Sequence, residues 1–290
     1  MYHREPIPST DWASLRDLFL IEWPKHIVSY SLLQNYITWL TKDPKYVKEN
    51  VEIYSLNGDW KDGTFYLVDD SYLFFDSLDA DNMRLEILLD MSLDKTKTYR
   101  CRSVNDCHLS ILNRVIQRLG MKKSYEMDGL MVHTPREFIL TFPDPTPPDG
   151  VYFASLNPKH AKLIASFYPL RDQSTPGLFD RTIRLNTTLG AFEKETGKLI
   201  GWCMQFQSGE MTALQIIDKK WLRSGLGGLI VVAASRKVAL LGSDFFAVID
   251  SNNVASKKFM AKQREMGIIV NIIGTTHHIV FGPEKRKAFS

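Results

Sequence analysis

The sequence predicts a mixed α/β fold in which helices and strands alternate along 290 residues. Short apolar runs bounded by charged residues, such as residues 211–217, are typical of strands in a sheet. Longer segments carry apolar residues every three or four positions, which indicates helices with one buried face. An apolar content of 44% is ample for a packed core in a chain of this length.

The first half is predicted to start with helices and to continue with antiparallel strands. Trp23-Pro24 separates two helical patterns, and Asn57-Gly58-Asp59 is typical of a tight turn between strands. In chain order, the predicted elements are two helices within 12–40, strands at 51–56, 65–68 and 72–75, a helix from Asn105 or Asp106 to Gly120, and strands at 122–126 and 130–133.

A proline-rich stretch, residues 141–150, predicts the domain boundary. It contains four prolines, which remove backbone donors and stiffen the chain. We therefore expect an N-terminal α/β domain over 1–140, a linker over 141–150 and a second domain over 151–290.

The second half is predicted to form a mixed α/β domain with one sheet. Its hairpin turns at Lys194-Glu195-Thr196-Gly197, and Pro158 suits a first helical turn. The predicted elements are strands at 152–156, 189–192, 199–206, 211–217, 245–249, 268–273 and 277–282, with helices at 158–167, about 179–185, 225–241 and 254–262.

A glycine-rich turn, Gly225-Leu226-Gly227-Gly228, joins the strand at 211–217 to the helix that follows. Glycines at a helix start let an anion approach backbone N–H groups that have no partner within the helix, and the helix dipole favours negative charge there. The turn is therefore a candidate phosphate site. The alternative is that the glycines only permit tight packing of strand against helix.

The composition excludes several classes of function. A net charge of +3 does not indicate a nucleic-acid partner, and no apolar run approaches the roughly 20 residues needed to cross a membrane. The N-terminus lacks a secretory or mitochondrial leader pattern, so we expect a cytoplasmic protein. No serine-hydrolase or P-loop motif is present in the sequence.

The cysteines and histidines do not suggest a metal site. Cys101, Cys107 and Cys203 are odd in number and lack metal-type spacing, so we expect free thiols and assign them no redox role. His277 and His278 are adjacent in a predicted strand and would face opposite sides of the sheet. We therefore predict no metal.

One set of spacings resembles a known family. Trp202 is followed seven residues later by Gly209-Glu210-Met211, and Gly225 lies fifteen residues after Glu210. With the order of elements, these residues resemble the GNAT superfamily of acyl-CoA-dependent N-acyltransferases, and within it most closely the glycine N-acyltransferase family. The likeness covers about residues 150–265. A weaker likeness over the first half suggests a degenerate copy of the same fold.

This resemblance implies a splayed mixed sheet flanked by helices, with acyl-CoA or acetyl-CoA as co-substrate in the opening. The acceptor would be a small-molecule amine or an amino acid, and the family also permits a mitochondrial location. The residues implied to bind CoA are Ile216, Ile217 and Asp218 for the pantetheine arm, Leu222, Arg223, Ser224, Gly225, Leu226, Gly227 and Gly228 for the pyrophosphate, and Asn253 at the start of the last helix.

The same resemblance implies that Glu210 is the general base. An amine must lose its proton before it attacks a thioester, and a carboxylate can accept that proton directly or through one water. From the residues alone, the alternative is an exposed glutamate at a strand edge. Two positions depart from the wider superfamily: Leu222 stands where Arg or Gln is frequent, and Phe259 stands where a Tyr often protonates the thiolate.

Two other functions compete with the acyltransferase prediction. An acyl-CoA-binding or interaction protein that has lost turnover would retain the fold and explain Leu222 and Phe259. A dinucleotide-binding enzyme is suggested by Gly225-x-Gly227 after a strand, but Ile230 occupies its third glycine position. Oligomeric state, acceptor and acyl length are not specified by the sequence.

Overall fold

The computed structural model describes residues 2–170, 174–175, 177–265, 267 and 271–284. The chain divides into two compact units. The first comprises Met1–Gly129 together with Thr275–Ser290, and the second comprises Leu130–Gly274. In the described part of the chain, no helix is long and apolar enough to span a membrane.

The elements follow the predicted alternation of helices and strands. Up to residue 134 they are β1 (Arg4–Pro6), α1 (Trp12–Leu18), α2 (Ile27–Lys42), α3 (Pro44–Asn50), β2 (Val51–Leu56), β3 (Phe65–Asp69), β4 (Tyr72–Asp76), α4 (Met83–Ser92), β5 (Tyr99–Asn105), α5 (Asp106–Arg118) and β6 (Lys122–Thr134). The later elements are α6 (Arg136–Ile139), β7 (Val151–Ala154), α7 (Ala161–Phe167), α8 (Leu178–Leu185), β8 (Thr188–Glu193), β9 (Leu199–Gln205), β10 (Met211–Ile216), α9 (Leu226–Leu240), β11 (Phe245–Asp250), α10 (Val254–Glu265) and β12 (Asn271–Gly282).

The first unit is built on a mixed sheet. Its strand order is β1-β2-β3-β4-β5-β12-β6. β4 and β5 run parallel, whereas β1 to β4 pair antiparallel in sequence and β12 pairs antiparallel with β5. Helices α4 and α5 bury their apolar faces against this sheet, and the resulting core includes Leu85, Leu89, Leu112 and Val115 from the helices with Leu73, Cys101 and Phe281 from the strands.

The second unit has a four-stranded antiparallel sheet in the order β10-β9-β8-β7. Helix α9 packs on it, and their shared core includes Ile230, Val231, Ala234 and Val238 of the helix with Ala191 and Ile200 of the strands. β10 is the last strand of this sheet. β10 and β11 lie next to each other without forming a ladder. The strands therefore separate between β10 and β11, the fourth and fifth strands of the second half, and the family resemblance implies a splay between these two strands.

Several elements differ from the sequence prediction. β1, α3, α4 and β5 were not predicted. β6 is one strand where two were predicted, and within it Asp128, before Gly129, accepts a hydrogen bond from His277 Nδ1 at 2.8 Å. β12 continues through Gly274, so the predicted break at 274–276 is wrong. Residues 268–270 of the predicted strand at 268–273 lie outside the described residues.

The proline-rich stretch at 141–150 contains no helix or strand, as predicted. It lies within the second unit, and the compact units divide at Gly129 instead. Arg236 of α9 binds the start of this stretch: its Nε is 2.6 Å from Asp144 Oδ1, and its Nη1 donates to the carbonyls of Ile139 and Leu140. A role for 141–150 as a linker between independently folding domains stays a prediction.

Candidate functional site

The site is built where β10 begins and where the glycine turn enters α9. Gly209 adopts φ of 88°, a conformation that favours glycine, and its N–H donates to the Phe206 carbonyl at 2.9 Å. The Phe206 N–H in turn donates to the Glu210 carbonyl at 3.0 Å. This tight turn between β9 and β10 fixes the backbone of Glu210.

The Glu210 side chain is buried. The residue is 3% exposed, and its Oε2 accepts a hydrogen bond from Ser208 Oγ at 2.5 Å. The alternative of an exposed glutamate at a strand edge is therefore wrong. A buried carboxylate requires hydrogen bonds to offset the loss of its hydration, and Ser208, itself fully buried, supplies one.

Aromatic rings form the apolar part of this region. Trp202 and Phe206 of the β9 segment are buried, and the ring of Phe167 lies 6.2 Å from that of Trp202 in an edge-on arrangement. Tyr168 and Phe179 continue the cluster, with ring centroids 5.1 Å apart, and both also contact Phe206. These rings hold α7 and α8 close to the turn that carries Glu210.

β10 has a bulge in its middle. Thr212 pairs with Met204 and Gln215 pairs with Trp202, so two residues of β10 face a single residue of β9. One of the two, Ala213, has φ of 55°. A bulge re-aims backbone groups and bends the strand.

Only part of the backbone in residues 216–218, the segment predicted to bind the pantetheine arm, points away from β9. The Ile217 N–H donates to the Ile200 carbonyl at 2.9 Å, so it belongs to the β9 ladder. Successive strand residues direct their backbone groups to opposite sides, which leaves those of Ile216 pointing away from β9. The Asp218 side chain caps the short 3-10 helix Lys219–Trp221 by accepting from Lys220 N at 3.0 Å.

The glycine turn places residues with left-handed backbone conformations at the start of α9. Gly225 caps α9 with φ of 90° and ψ of −8°, and Arg223 has φ of 63°. The amides of Leu222, Ser224 and Gly228 donate to carbonyls within the turn, and that of Leu226 donates to Ser224 Oγ at 3.3 Å. Among the described residues, no partner is found for the remaining amides, those of Arg223, Gly225 and Gly227.

The charges near these amides are positive on balance. Arg223 is exposed and forms no ion pair with the described residues, and Lys220 lies over the Trp221 ring, with Nζ 5.1 Å from its centroid. Asp218 is paired with Lys198 Nζ at 3.2 Å. The bond from Lys220 N and the contact with Lys198 lower the pKa of Asp218. Leu222 is 53% exposed beside this turn.

Helix α10 covers the other side of the turn. Asn253 caps it, with Oδ1 accepting from Ser256 N at 2.9 Å, so its carbonyl oxygen is engaged. Phe259 lies 3.6 Å from the position that a Cβ on Gly227 would occupy. Gln263 is 3% exposed, lies against Gly228, and its Oε1 has no partner among the described residues. Gln263 was not predicted from the sequence. The only pattern that could have indicated it is its position four residues after Phe259, on the same face of the helix.

Three cysteines are free, as predicted, and Cys101 and Cys203 are buried. No group of three or more His, Cys, Asp or Glu side chains able to hold a metal occurs among the described residues. His277 contacts the carboxylates of Asp106 and Asp128.

Comparisons with known proteins concern the family and the fold. Residues 188–263 match the family model described as FR47-like protein. A search of curated proteins found no match. A Drosophila melanogaster protein of known X-ray structure aligns with a TM-score of 0.84 and 20% identity over 97% of this chain and 99% of that chain. A tandem GNAT protein from the clavulanic acid biosynthesis pathway aligns with a TM-score of 0.53 and 13% identity over 97% of each chain.

These likenesses define the class of fold: the chain has the GNAT fold, a mixed sheet flanked by helices. The FR47-like match extends from β8 to α10 and therefore contains the glycine turn. The prediction of a GNAT fold is confirmed, and the alignment with a tandem GNAT protein extends over both halves. The reported matches do not single out the glycine N-acyltransferase family.

Proposed function

We propose that the protein transfers an acyl group from acyl-CoA or acetyl-CoA to the amine of a small molecule or an amino acid. The observation that carries this proposal is the set of unbonded amides of Arg223, Gly225 and Gly227 at the start of a helix of 15 residues. Backbone amides and the positive end of a helix dipole bind phosphate groups. The GNAT fold supports CoA as the source of those phosphates.

The outward backbone groups of Ile216 would pair with the pantetheine amides, which extend along a strand edge. Asn253 and Gln263 are further candidates from α10, through the Asn253 amide nitrogen and the unpartnered Gln263 oxygen. Arg223 would add a mobile positive charge near the phosphates. Leu222 supplies no charge, so the backbone would contribute most of the binding energy.

In the proposed mechanism, Glu210 takes the proton from the acceptor amine, directly or through one water. The free amine then attacks the thioester carbonyl, a new C–N bond forms, the nitrogen gives its second proton to water, the C–S bond breaks, and CoA leaves as the thiolate. Ser208 holds the Glu210 carboxylate in position. Phe259 has no hydroxyl, so the thiolate takes its proton from water. By resemblance to the glycine N-acyltransferases, glycine and other amino acids are the first acceptors to test.

The test is transfer from acetyl-CoA and longer acyl-CoAs to a panel of amino acids and amines, with released CoA measured by chromatography. We expect Glu210→Gln to lower kcat about 10²–10⁴-fold, because the amide cannot accept the proton. Glu193→Gln is the matched control: Glu193 ends β8 and bonds the nearby Thr196 hydroxyl. An equal rate in wild type and Glu210→Gln would remove Glu210 from the mechanism.

A second candidate is an acyl-CoA-binding protein without turnover. Phe259 at the glycine turn and the exposed Leu222 favour it. It predicts that calorimetry detects CoA binding while no acceptor in the panel releases CoA. Failure of CoA to bind would reject both candidates.

A further inference from the structure

The first unit contains a cluster of nucleophilic and titratable side chains that the proposed acyl transfer does not use. It joins the N-terminus of α5 to the end of β4 and the start of α2. Its members are Cys107 and His108 on α5, Asp76 on β4, Ser29 on α2 and His26, which precedes α2.

His108 and Asp76 form a buried pair at the centre of the cluster. His108 Nε2 lies 2.7 Å from Asp76 Oδ1, and the two side chains are 2% and 7% exposed. Asp76 also accepts from Ser29 Oγ and from Ser77 N. Burial favours the neutral acid, but the bonds from His108, Ser29 and Ser77 outweigh it and lower the pKa of Asp76.

The same pair keeps the imidazole protonated. Burial opposes the charge on His108, but the bonds to Asp76 and Cys107 outweigh it and raise the pKa of His108 to about 9. At neutral pH the ring therefore donates through both nitrogens. Nε2–H points to Asp76, and Nδ1–H points to Cys107 Sγ, 3.6 Å away.

Cys107 is the exposed end of this chain of contacts. It is the second residue of α5, a helix of 13 residues, and its N–H donates to the cap residue Asn105 at 3.2 Å. The order thiol, imidazole, carboxylate is the arrangement that activates cysteine nucleophiles, in which a third group orients the base.

Charged and titratable side chains from the neighbouring segments of the chain lie near Cys107. Lys25 is close enough for its charge to interact with that of Cys107, and its Nζ is 2.5 Å from Glu22. His26 is 9% exposed, its Nδ1 has no partner among the described residues, and burial lowers its pKa. Asp106, the adjacent acid, bonds Thr275 and His277.

We propose that Cys107 is a nucleophilic thiol, activated by His108 and Asp76, that undergoes thiol–disulfide exchange with small anionic disulfides. In this step the Cys107 thiolate attacks one sulfur of the disulfide, a mixed disulfide forms, and the second sulfur leaves as a free thiolate. The imidazolium and the Lys25 ammonium favour an anionic partner such as a peptide disulfide. Addition of a small thiol reverses the reaction. This site is separate from the proposed acyl transfer and does not depend on it.

The other two cysteines provide an internal comparison. Cys101 and Cys203 are both buried. Burial raises the pKa of both thiols, that of Cys203 to about 12. Neither should react in the folded protein. The native protein should therefore release one equivalent from a disulfide reagent, and the unfolded protein three.

The test is the rate of reaction with dithiobisnitrobenzoate, an anionic aromatic disulfide whose released thiolate absorbs light. At pH 7 we expect wild type to react at least about 10-fold faster than free glutathione, and Cys107→Ser to remove the fast equivalent. His108→Gln should slow the reaction by a similar factor. His3→Gln is the matched control, since His3 is exposed and pairs with Glu5.

A further variant keeps the test sound if His108→Gln folds poorly. The surface variant Lys25→Gln should slow the anionic reagent about 2- to 5-fold and leave the neutral hydroxyethyl disulfide unchanged. A wild-type rate equal to that of glutathione would overturn the proposal.

Discussion

At the scale of single residues, two buried carboxylates have different surroundings. Glu210 bonds Ser208 at the turn into β10, whereas Asp76 holds a protonated histidine. Sequence spacing identified Glu210 by resemblance to a family. It gave no signal for Asp76, because its partner His108 is 32 residues away and reaches it only when β4 and α5 pack together. The cysteines were correctly predicted to be free, but the environment of Cys107 was not predicted.

The buried pair predicts a dependence of stability on pH. His108 has a pKa of about 9 when folded and about 6.5 when unfolded, so its contribution is complete below about pH 6.5 and is lost as pH rises through 9. The contribution is up to about 3 kcal/mol. Urea unfolding of wild type should show this loss between pH 6.5 and 9.5. Asp76→Asn should largely flatten the profile; an unchanged slope would mean that the pair does not control it.

At the scale of elements, the glycine turn begins α9 and the bulge lies in β10, and these two elements are in contact. The periodicity of residues 226–241 was sufficient to predict α9, and the glycines predicted its start. Which amides are free was not predictable, because Ser224 binds one of them and carbonyls within the turn bind others. Similarly, the Ile217 amide cannot bind a ligand, because it donates its hydrogen bond to β9.

The turn predicts a contrast between two glycine substitutions. Gly225→Ala should lower the free energy of unfolding by about 1–2 kcal/mol, because alanine is strained at φ of 90°. Gly227→Ala should be neutral or slightly stabilising, since Gly227 lies within the helix and its Cβ would meet Phe259 at an ordinary 3.6 Å. Urea denaturation compares the two. Equal effects would show that the left-handed cap is not retained in solution.

At the scale of the whole molecule, each unit has its own core and its own set of reactive groups. The second unit contains Glu210 and the glycine turn, and the first contains the Cys107 cluster. The fold aligns over nearly its full length with a tandem GNAT protein, yet the first-half sequence shows no glycine-rich phosphate turn. We therefore propose that acyl-CoA binds to the second unit alone.

Hydrogen exchange tests this assignment. Acetyl-CoA at about 100 times its Kd should stabilise the folded protein by about 2.7 kcal/mol. Added protection should appear in β10, in the glycine turn and at the start of α9, where amides become bonded. Helix α5 serves as the internal control and should be unaffected. Protection confined to the first unit would contradict the proposed site.

The sequence by itself determined most of the helices and strands and the glycine turn, and its resemblance to a known family implied the GNAT fold and the role of Glu210. The helices, strands and turns depend on local periodicity and turn residues, which are properties of neighbouring residues. Only the tertiary structure decided that Glu210 is buried, which turn amides stay unbonded, and that Cys107, His108 and Asp76 meet. Those features depend on strand order and helix packing, which join residues far apart in the chain.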